Sequence, residues 1–133
     1  SDILGEQMAK TALNVPCLNK MKSMVDDAHD ILVSDTSLNQ FGELLNLNWS
    51  LKKSLSSKVT NPVIDSMYDK AIHAGALGGK LLGAGSGGFM MFYVEKKFQD
   101  KVKAALNEYL YIPFCFDFDG SKIVVYEPNY QEK

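Results

Sequence analysis

A run of twelve residues at positions 78–89, GGKLLGAGSGGF, contains six of the ten glycines in this 133-residue chain. Glycine loses more backbone entropy on folding than any other residue and adds no side chain to the core, so such a density requires a structural reason. Glycine adopts positive φ angles and lets a second backbone or a ligand approach closely, and successive N–H groups in such a loop form a concavity that binds anions. The run therefore predicts a tight loop, with phosphate as the first ligand to consider.

Three well-known glycine-rich phosphate loops share part of this pattern, but the flanking residues exclude each of them. Gly83, Gly85 and Gly88 satisfy G-x-G-x-x-G, yet the dinucleotide-binding fingerprint needs a helix directly after the loop, and residues 89–94 are typical of a strand. A Walker A loop needs lysine directly after its last glycine, whereas Lys80 precedes this loop. Protein kinases do place a glycine loop between strands, but the chain lacks H-R-D and V-A-I-K segments and has DFDG at 117–120.

Composition narrows the class of protein. A chain of 133 residues with 46% hydrophobic residues is large enough for one domain with its own core, and we expect a single domain over residues 1–133. The formal net charge is −2, and all 14 cationic residues are lysines. The absence of arginine argues against a nucleic-acid partner and removes any bidentate guanidinium clamp on a phosphate.

The chain reads as cytoplasmic. Cys17 and Cys115 lie far apart in apolar surroundings, which favours free, buried thiols in a reducing compartment. The sequence has no apolar run of about 20 residues and no charged-then-apolar leader, so neither a membrane nor secretion is predicted. Because the sequence begins at Ser1 and not at Met, we expect a piece of a longer protein.

The first half of the chain predicts three helices. The first has an apolar face at spacings of three and four, with Pro16 in its first turn; that face comprises Leu18, Met21, Val25, Ala28 and Leu32. The second covers residues 38–55 and should pack antiparallel to the first, since the connection is short. The third has Asn61 as N-cap, Pro62 at its first position and Gly75 to end it.

The second half predicts strands and one helix. Residues 89–94 are wholly apolar and predict a central strand buried on both faces. A helix over 98–109, a half-buried strand over 112–118 and a last strand over 123–126 follow. The fold class is therefore α+β, with three or four leading helices packed on a mostly antiparallel sheet of about four strands.

The glycine run with its flanks resembles the third signature motif, K-x-x-G-A-G-x-G-G, of the GHMP kinases. The resemblance extends to WSLKK at 49–53, LSSK at 55–58, NPVID at 61–65 and GAL at 75–77. This longer pattern is similar to the sugar-kinase branch that phosphorylates D-glycero-D-manno-heptose 7-phosphate. It implies that all 133 residues form the C-terminal, ferredoxin-like domain of a two-domain kinase.

The resemblance also implies where ligands bind. The N-terminal kinase domain, absent here, would bind most of the ATP and Mg²⁺ and supply the acidic group near the accepting hydroxyl. The glycine loop would line the cleft near the transferred phosphoryl group; it comprises Gly83, Ala84, Gly85, Ser86, Gly87 and Gly88. Many relatives have glycine at the position of Ser86. Catalytic and metal-binding residues are not expected in this chain, and the isolated chain should be inactive.

Four further residues are candidates for contact with substrate, each beside a structural alternative. Lys80 is either a phosphate-facing cation or a lysine extending from a strand end to solvent. Lys52 and Lys53 would suit a sugar phosphate or would lie on a solvated helix face. Trp49 would stack on a sugar or pack in the core. The loop itself has a structural alternative, a tight connection whose backbone presses on a neighbouring helix.

Two other functions remain open from the residues alone. One is a stand-alone regulatory α+β module that holds an anion or another ligand in the same loop. The other is a helical interaction domain or homodimer, which would show an apolar patch on the first helices.

Overall fold

The computed structural model describes residues 11–56, 58–83, 87–116 and 119–120. Its helices are α1 (Thr11–Val33), α2 (Asn39–Leu55), α3 (Pro62–Ala74) and α4 (Gln99–Ala105), and a 3₁₀ turn at Lys96–Phe98 precedes α4. The strands β1 (Ala76–Leu82) and β2 (Phe89–Val94) pair antiparallel. The α+β class is thus confirmed, although the sheet has two strands in the described part of the chain. The strand expected at 123–126 lies outside it.

Helix α1 packs against α2 through a face that shares two of the five expected residues and is rotated from the expected one. Its contact side carries the buried Met24 and four half-buried residues spaced by three or four, which are Cys17, Met21, Ala28 and Ile31. Three residues of the expected face remain exposed instead: Leu18 by 42%, Val25 by 66% and Leu32 by 57%. Both stripes are apolar, so periodicity alone could not select the one that α2 covers.

Pro16 lies inside α1 and not in the first turn of the helix. The helix already includes Thr11, five residues earlier. Proline lacks the N–H that would bond to the carbonyl four residues back, so the helix continues past it with one hydrogen bond fewer.

Local sequence determines both ends of α3, as predicted. The Asn61 side chain accepts hydrogen bonds of 3.0 Å from the N–H groups of Val63 and Ile64, and Pro62 occupies the first helical position. Gly75 ends the helix in the left-handed conformation, at φ 116°. These caps satisfy backbone groups that the helix leaves without partners.

Strand β1 is the main element that the sequence did not predict. The glycine run begins inside it, at Gly78 and Gly79, and only residues 83–88 connect it to β2. β2 matches its predicted range, but its residues are half-buried or exposed and not buried on both faces. A glycine-rich segment has a low strand propensity, and here packing overrides that propensity.

The core lies between the helices and this hairpin. One cluster joins α2, the 58–61 connection, α3 and β1; its buried members are Trp49, Val59, Ile64, Tyr68 and Leu81. A second joins α3 to α4 and contains Ala71, Ala74, Ala76 and Val102. The alanines let these elements approach closely. The hairpin is therefore held by helices on two sides.

The segment after β2 differs from its prediction in two places. α4 ends at Ala105, so the helix is shorter than the expected 98–109. Residues 112–116 form no strand, and Phe114 and Phe116 are exposed; positions 117–118 lie outside the described residues. Alternation of apolar and polar residues fits a strand only where a neighbour pairs with it, and here the described residues provide none. Cys115 is exposed and Cys17 half-buried, so neither thiol is fully buried.

Candidate functional site

The glycine loop joins β1 to β2 at one end of the hairpin. Gly83 and Gly88 flank it with φ angles of 123° and 124°, which side-chain-bearing residues rarely adopt. A Cβ at Gly88 would lie 2.1 Å from the carbonyl oxygen of Leu82, so the two ends of the loop approach too closely for a side chain. Gly87 is exposed and has open space around it. Ala84, Gly85 and Ser86 lie outside the described residues.

The loop stands on a strand that is held against α2 by a second close approach. A Cβ at Gly78 would lie 2.1 Å from the carbonyl oxygen of Gly42 and 2.6 Å from the amide nitrogen of Asn46. Only glycine fits there, because both neighbours are backbone atoms of a helix. Gly42, an isolated glycine in the apolar pattern of α2, was the sequence signal for this contact.

A buried hydroxyl connects the same strand to two helices. Tyr68 in α3 donates a hydrogen bond of 2.8 Å to Oδ1 of Asn46 in α2. The hydroxyl oxygen of Tyr68 in turn accepts a hydrogen bond of 3.2 Å from the N–H of Gly79 in β1. Burial raises the pKa of the Tyr68 phenol, and the Gly79 hydrogen bond opposes that shift. The sequence alone did not indicate this contact.

Two of the candidate residues are engaged inside the fold. The Trp49 side chain is 2% exposed and stacks on Tyr68 with 5.8 Å between ring centroids, so its ring faces the core and not an open surface. Lys53 forms an ion pair of 3.3 Å with Asp65, and its ammonium lies 5.9 Å from the centre of the Trp49 ring. Asp65 also accepts a bond of 3.1 Å from Thr60. These contacts favour the structural alternative for Trp49, packing in the core, and they give Lys53 a carboxylate partner rather than a solvated helix face.

The other two candidates, Lys52 and Lys80, interact through their charges. Lys80 is exposed on β1 and Lys52 is half-buried near the end of α2. Burial lowers the pKa of Lys52, and the positive charge of Lys80 lowers it further. In the described ranges, no ion pair or hydrogen bond involves the side chain of either lysine. Two lysines that form no ion pair with the described residues thus lie on β1 and on the helix next to it, and β1 leads into the glycine loop.

A cavity of about 780 Å³ lies along β2 and opens beside the other end of the loop. Its walls are largely apolar and come from β2, from α4 and from residues 106–114; Gly88 and Phe89 line the end next to the loop. The cavity is therefore suited to an apolar group. Its lining of described residues contains no cluster of charged side chains.

Two further features bear on the expected ligands. Among the described residues, no group of three or more His, Cys, Asp or Glu side chains is arranged to hold a metal ion. No helix within the same ranges is long and apolar enough to cross a membrane.

Comparison with known families agrees with this architecture. The family described as "GHMP kinases C terminal" matches residues 12–112, which include α1, the glycine hairpin and α4. This chain belongs to the GHMP kinase C-terminal family. The resemblance carried by the glycine motif is thereby confirmed, and the hairpin of this GHMP kinase domain is the element that presents the motif.

Curated relatives of the GHMP kinase domain are phosphotransferases. D-glycero-alpha-D-manno-heptose 7-phosphate kinase of Campylobacter jejuni is 40% identical over 83 residues, which cover 60% of this chain and 24% of that kinase. Mevalonate kinase of Pyrococcus horikoshii is 38% identical over 79 residues, covering 56% and 23%. L-fucokinase/L-fucose-1-P guanylyltransferase of Bacteroides fragilis is 29% identical over 90 residues, covering 68% and 9%. The chain thus spans about a quarter or less of the length of these relatives.

Proposed function

We propose that this chain is the C-terminal domain of an ATP-dependent kinase that phosphorylates a hydroxyl group of a small molecule. The observation that carries the proposal is the glycine hairpin, whose loop is closed by left-handed glycines in a chain of the GHMP kinase C-terminal family. Residues 83–88 form one wall of the phosphoryl-transfer cleft. Phosphoryl transfer is catalysed by positioning and by stabilisation of charge, and backbone N–H groups of a fixed loop contribute to both.

The opposite wall belongs to an N-terminal kinase domain. In this proposal that domain binds most of the ATP and the Mg²⁺. The isolated chain then has half of a site and no turnover. The exposed apolar stripe of α1 (Leu18, Val25 and Leu32) suits a contact with that domain, and a homodimer is the alternative occupant. We expect the complete enzyme to be cytoplasmic.

The acceptor that we propose is a sugar phosphate, D-glycero-D-manno-heptose 7-phosphate. The similarity to the Campylobacter jejuni kinase supports this choice, and the similarity to mevalonate kinases makes mevalonate the second acceptor to test.

The test compares ADP release by the complete gene product and by the isolated 133 residues, with each acceptor. We expect turnover of the heptose phosphate by the complete protein and none by the isolated chain. Turnover by the isolated chain would contradict the division of the site, and absence of ADP release from the complete protein with both acceptors would contradict the kinase assignment. If the isolated chain still bound anions in that case, the regulatory module would be the better description.

A pair of glycine variants tests the role of the loop. Gly88→Ala in the complete protein should lower kcat by about tenfold or more, since the new Cβ meets the Leu82 carbonyl oxygen and displaces the loop. Gly120→Ala is the control, because Gly120 also has a positive φ but no atom of the described residues lies within 4 Å of its added Cβ. Equal kcat values for the two variants, with both proteins folded by melting curves, would argue that the loop has no part in catalysis.

A further inference from the structure

Lys52 and Lys80 lie on adjacent elements that run along each other. Gly78 lies against the backbone of α2 at Gly42 and Asn46, and side chains two apart in a strand share a face, so Lys80 is on the side of β1 that faces α2. Further along β1, Leu81 joins the core cluster of Trp49, which is one turn of α2 before Lys52. Strand β1 and helix α2 therefore lie side by side, and the positive charge of Lys80 acts on Lys52.

This pair differs from the three described lysines that form ion pairs. Lys53, Lys70 and Lys97 each have a carboxylate partner, in Asp65, Glu108 and Glu95 respectively. Lys52 and Lys80 have none in the part of the chain that the structure describes, and their charges repel each other. Half-burial of Lys52 strengthens that repulsion, because the effective dielectric constant is lower than in water. An anion between the two ammonium groups would replace this repulsion with two attractions.

The pair is also close to the loop. Lys80 lies in β1, three positions before Gly83, the first left-handed residue of the loop. An anion held by Lys52 and Lys80 would thus lie at the base of the glycine loop, within the proposed cleft.

We propose that Lys52 and Lys80 act as one subsite for a phosphate group of a ligand, while Lys53 does not take part. This inference rests on the proposed kinase function, which supplies two ligands with phosphate groups. One source is the phosphate ester that a sugar-phosphate acceptor already carries, and the other is the nucleotide. Both ligands carry phosphate oxygens, to which ammonium groups bind strongly.

Titration of the 133-residue chain tests the subsite directly. Lysine side-chain NMR signals are followed while inorganic phosphate, glucose 6-phosphate, glucose or ATP is added. We expect the signals of Lys52 and Lys80 to move with each phosphate-bearing probe and not with glucose. The double variant Lys52→Met/Lys80→Met should bind inorganic phosphate about tenfold more weakly, as for loss of charge-assisted hydrogen bonds.

The matched control is Lys101→Met, which removes an exposed lysine of α4 that has no ion-pair partner in the described residues. It should bind phosphate like the wild type, and the double variant Lys52→Arg/Lys80→Arg should retain binding. Unchanged phosphate affinity in the methionine double variant, or equal loss in Lys101→Met, would overturn the subsite.

Kinetics of the complete protein separate the two sources. If the pair holds the acceptor, the methionine double variant raises the KM for heptose 7-phosphate about tenfold and leaves the KM for ATP unchanged; the reverse assigns the pair to the nucleotide. If the complete protein transfers phosphate and neither KM changes, the subsite is wrong while the kinase function stands. If it has no kinase activity, the proposed function fails, and the titration still decides whether the pair binds phosphate.

Discussion

The N–H of Gly79 donates a hydrogen bond to the hydroxyl of Tyr68, which lies eleven residues earlier on the neighbouring helix. That hydroxyl uses its own proton for Asn46 on α2, so one oxygen connects β1, α2 and α3. A strand with two adjacent glycines has few side chains with which to hold its place. The Tyr68 hydroxyl instead holds the strand through a backbone N–H group. This strand carries Lys80 and leads into the glycine loop.

Removing this hydroxyl should destabilise the domain. Tyr68→Phe leaves the buried N–H of Gly79 without a partner, for which we expect a loss of about 2 kcal/mol in the free energy of unfolding. Tyr93→Phe is the control, since the hydroxyl of half-buried Tyr93 makes one long bond of 3.4 Å to Asn39; its loss should cost about 0.5 kcal/mol. Urea denaturation of the three proteins measures both values, and a Tyr68→Phe loss no larger than that of Tyr93→Phe would contradict the role of the hydroxyl.

The same phenol should make the domain sensitive to alkali. Burial raises the pKa of Tyr68 above its ordinary value of 10.0, so the folded state holds the proton more tightly than the unfolded chain does. The resulting stabilisation is complete below pH 10 and is lost as the pH rises from 10 through the raised pKa. The difference in unfolding free energy between wild type and Tyr68→Phe should therefore shrink above pH 10. A difference that stays constant from pH 8 to pH 11 would show that the Tyr68 pKa is not raised.

The contact between Gly78 and α2 should tolerate no side chain. In Gly78→Ala the new Cβ would lie 2.1 Å from the Gly42 carbonyl oxygen, so β1 must move away from the helix. We expect a loss of about 3 kcal/mol, typical of overpacking against backbone. Gly87→Ala is matched in chemistry, but no atom of the described residues lies within 4 Å of the new Cβ, and it should change stability by less than about 0.5 kcal/mol. Thermal melts measure the two stabilities. Equal melting temperatures for Gly78→Ala and Gly87→Ala would refute the close packing of β1 on α2.

Features set by local sequence were predictable. The ends of α3 follow from Asn61, Pro62 and Gly75, whose side chain, ring and backbone act within one turn of the helix. α2 and β2 also occur at their expected positions. The face of α1 that packs was not predictable, because two apolar stripes compete and only the position of α2 decides between them.

The site was predicted only as separate parts. The glycine motif identified the family, but Gly78 and Gly79 were assigned to a loop, since nothing local shows that α2 presents backbone atoms to a strand there. Without β1, the sequence could not indicate that the charge of Lys80 acts on Lys52, or that Lys53 pairs with Asp65. Trp49 was a candidate because of its chemistry, and its burial follows from stacking on Tyr68, a residue 19 positions later.

The charge of Lys80 should be measurable at Lys52. Burial and then Lys80 lower the pKa of Lys52 from its ordinary value of 10.5, so Lys80→Met should raise that pKa while leaving it below 10.5. The unfolded chain binds this proton more tightly, so Lys52 opposes folding below its lowered pKa, and stability rises with pH between that value and 10.5. At pH 7 the free energy of unfolding of Lys80→Met should thus equal that of the wild type or exceed it, by at most about 0.5 kcal/mol because solvent screens the two charges. NMR titration of the Lys52 side chain measures the shift, with Lys101→Met as the control. A Lys52 pKa that is the same in wild type and Lys80→Met would show that the two ammonium groups do not interact, and the phosphate subsite would lose its geometric basis.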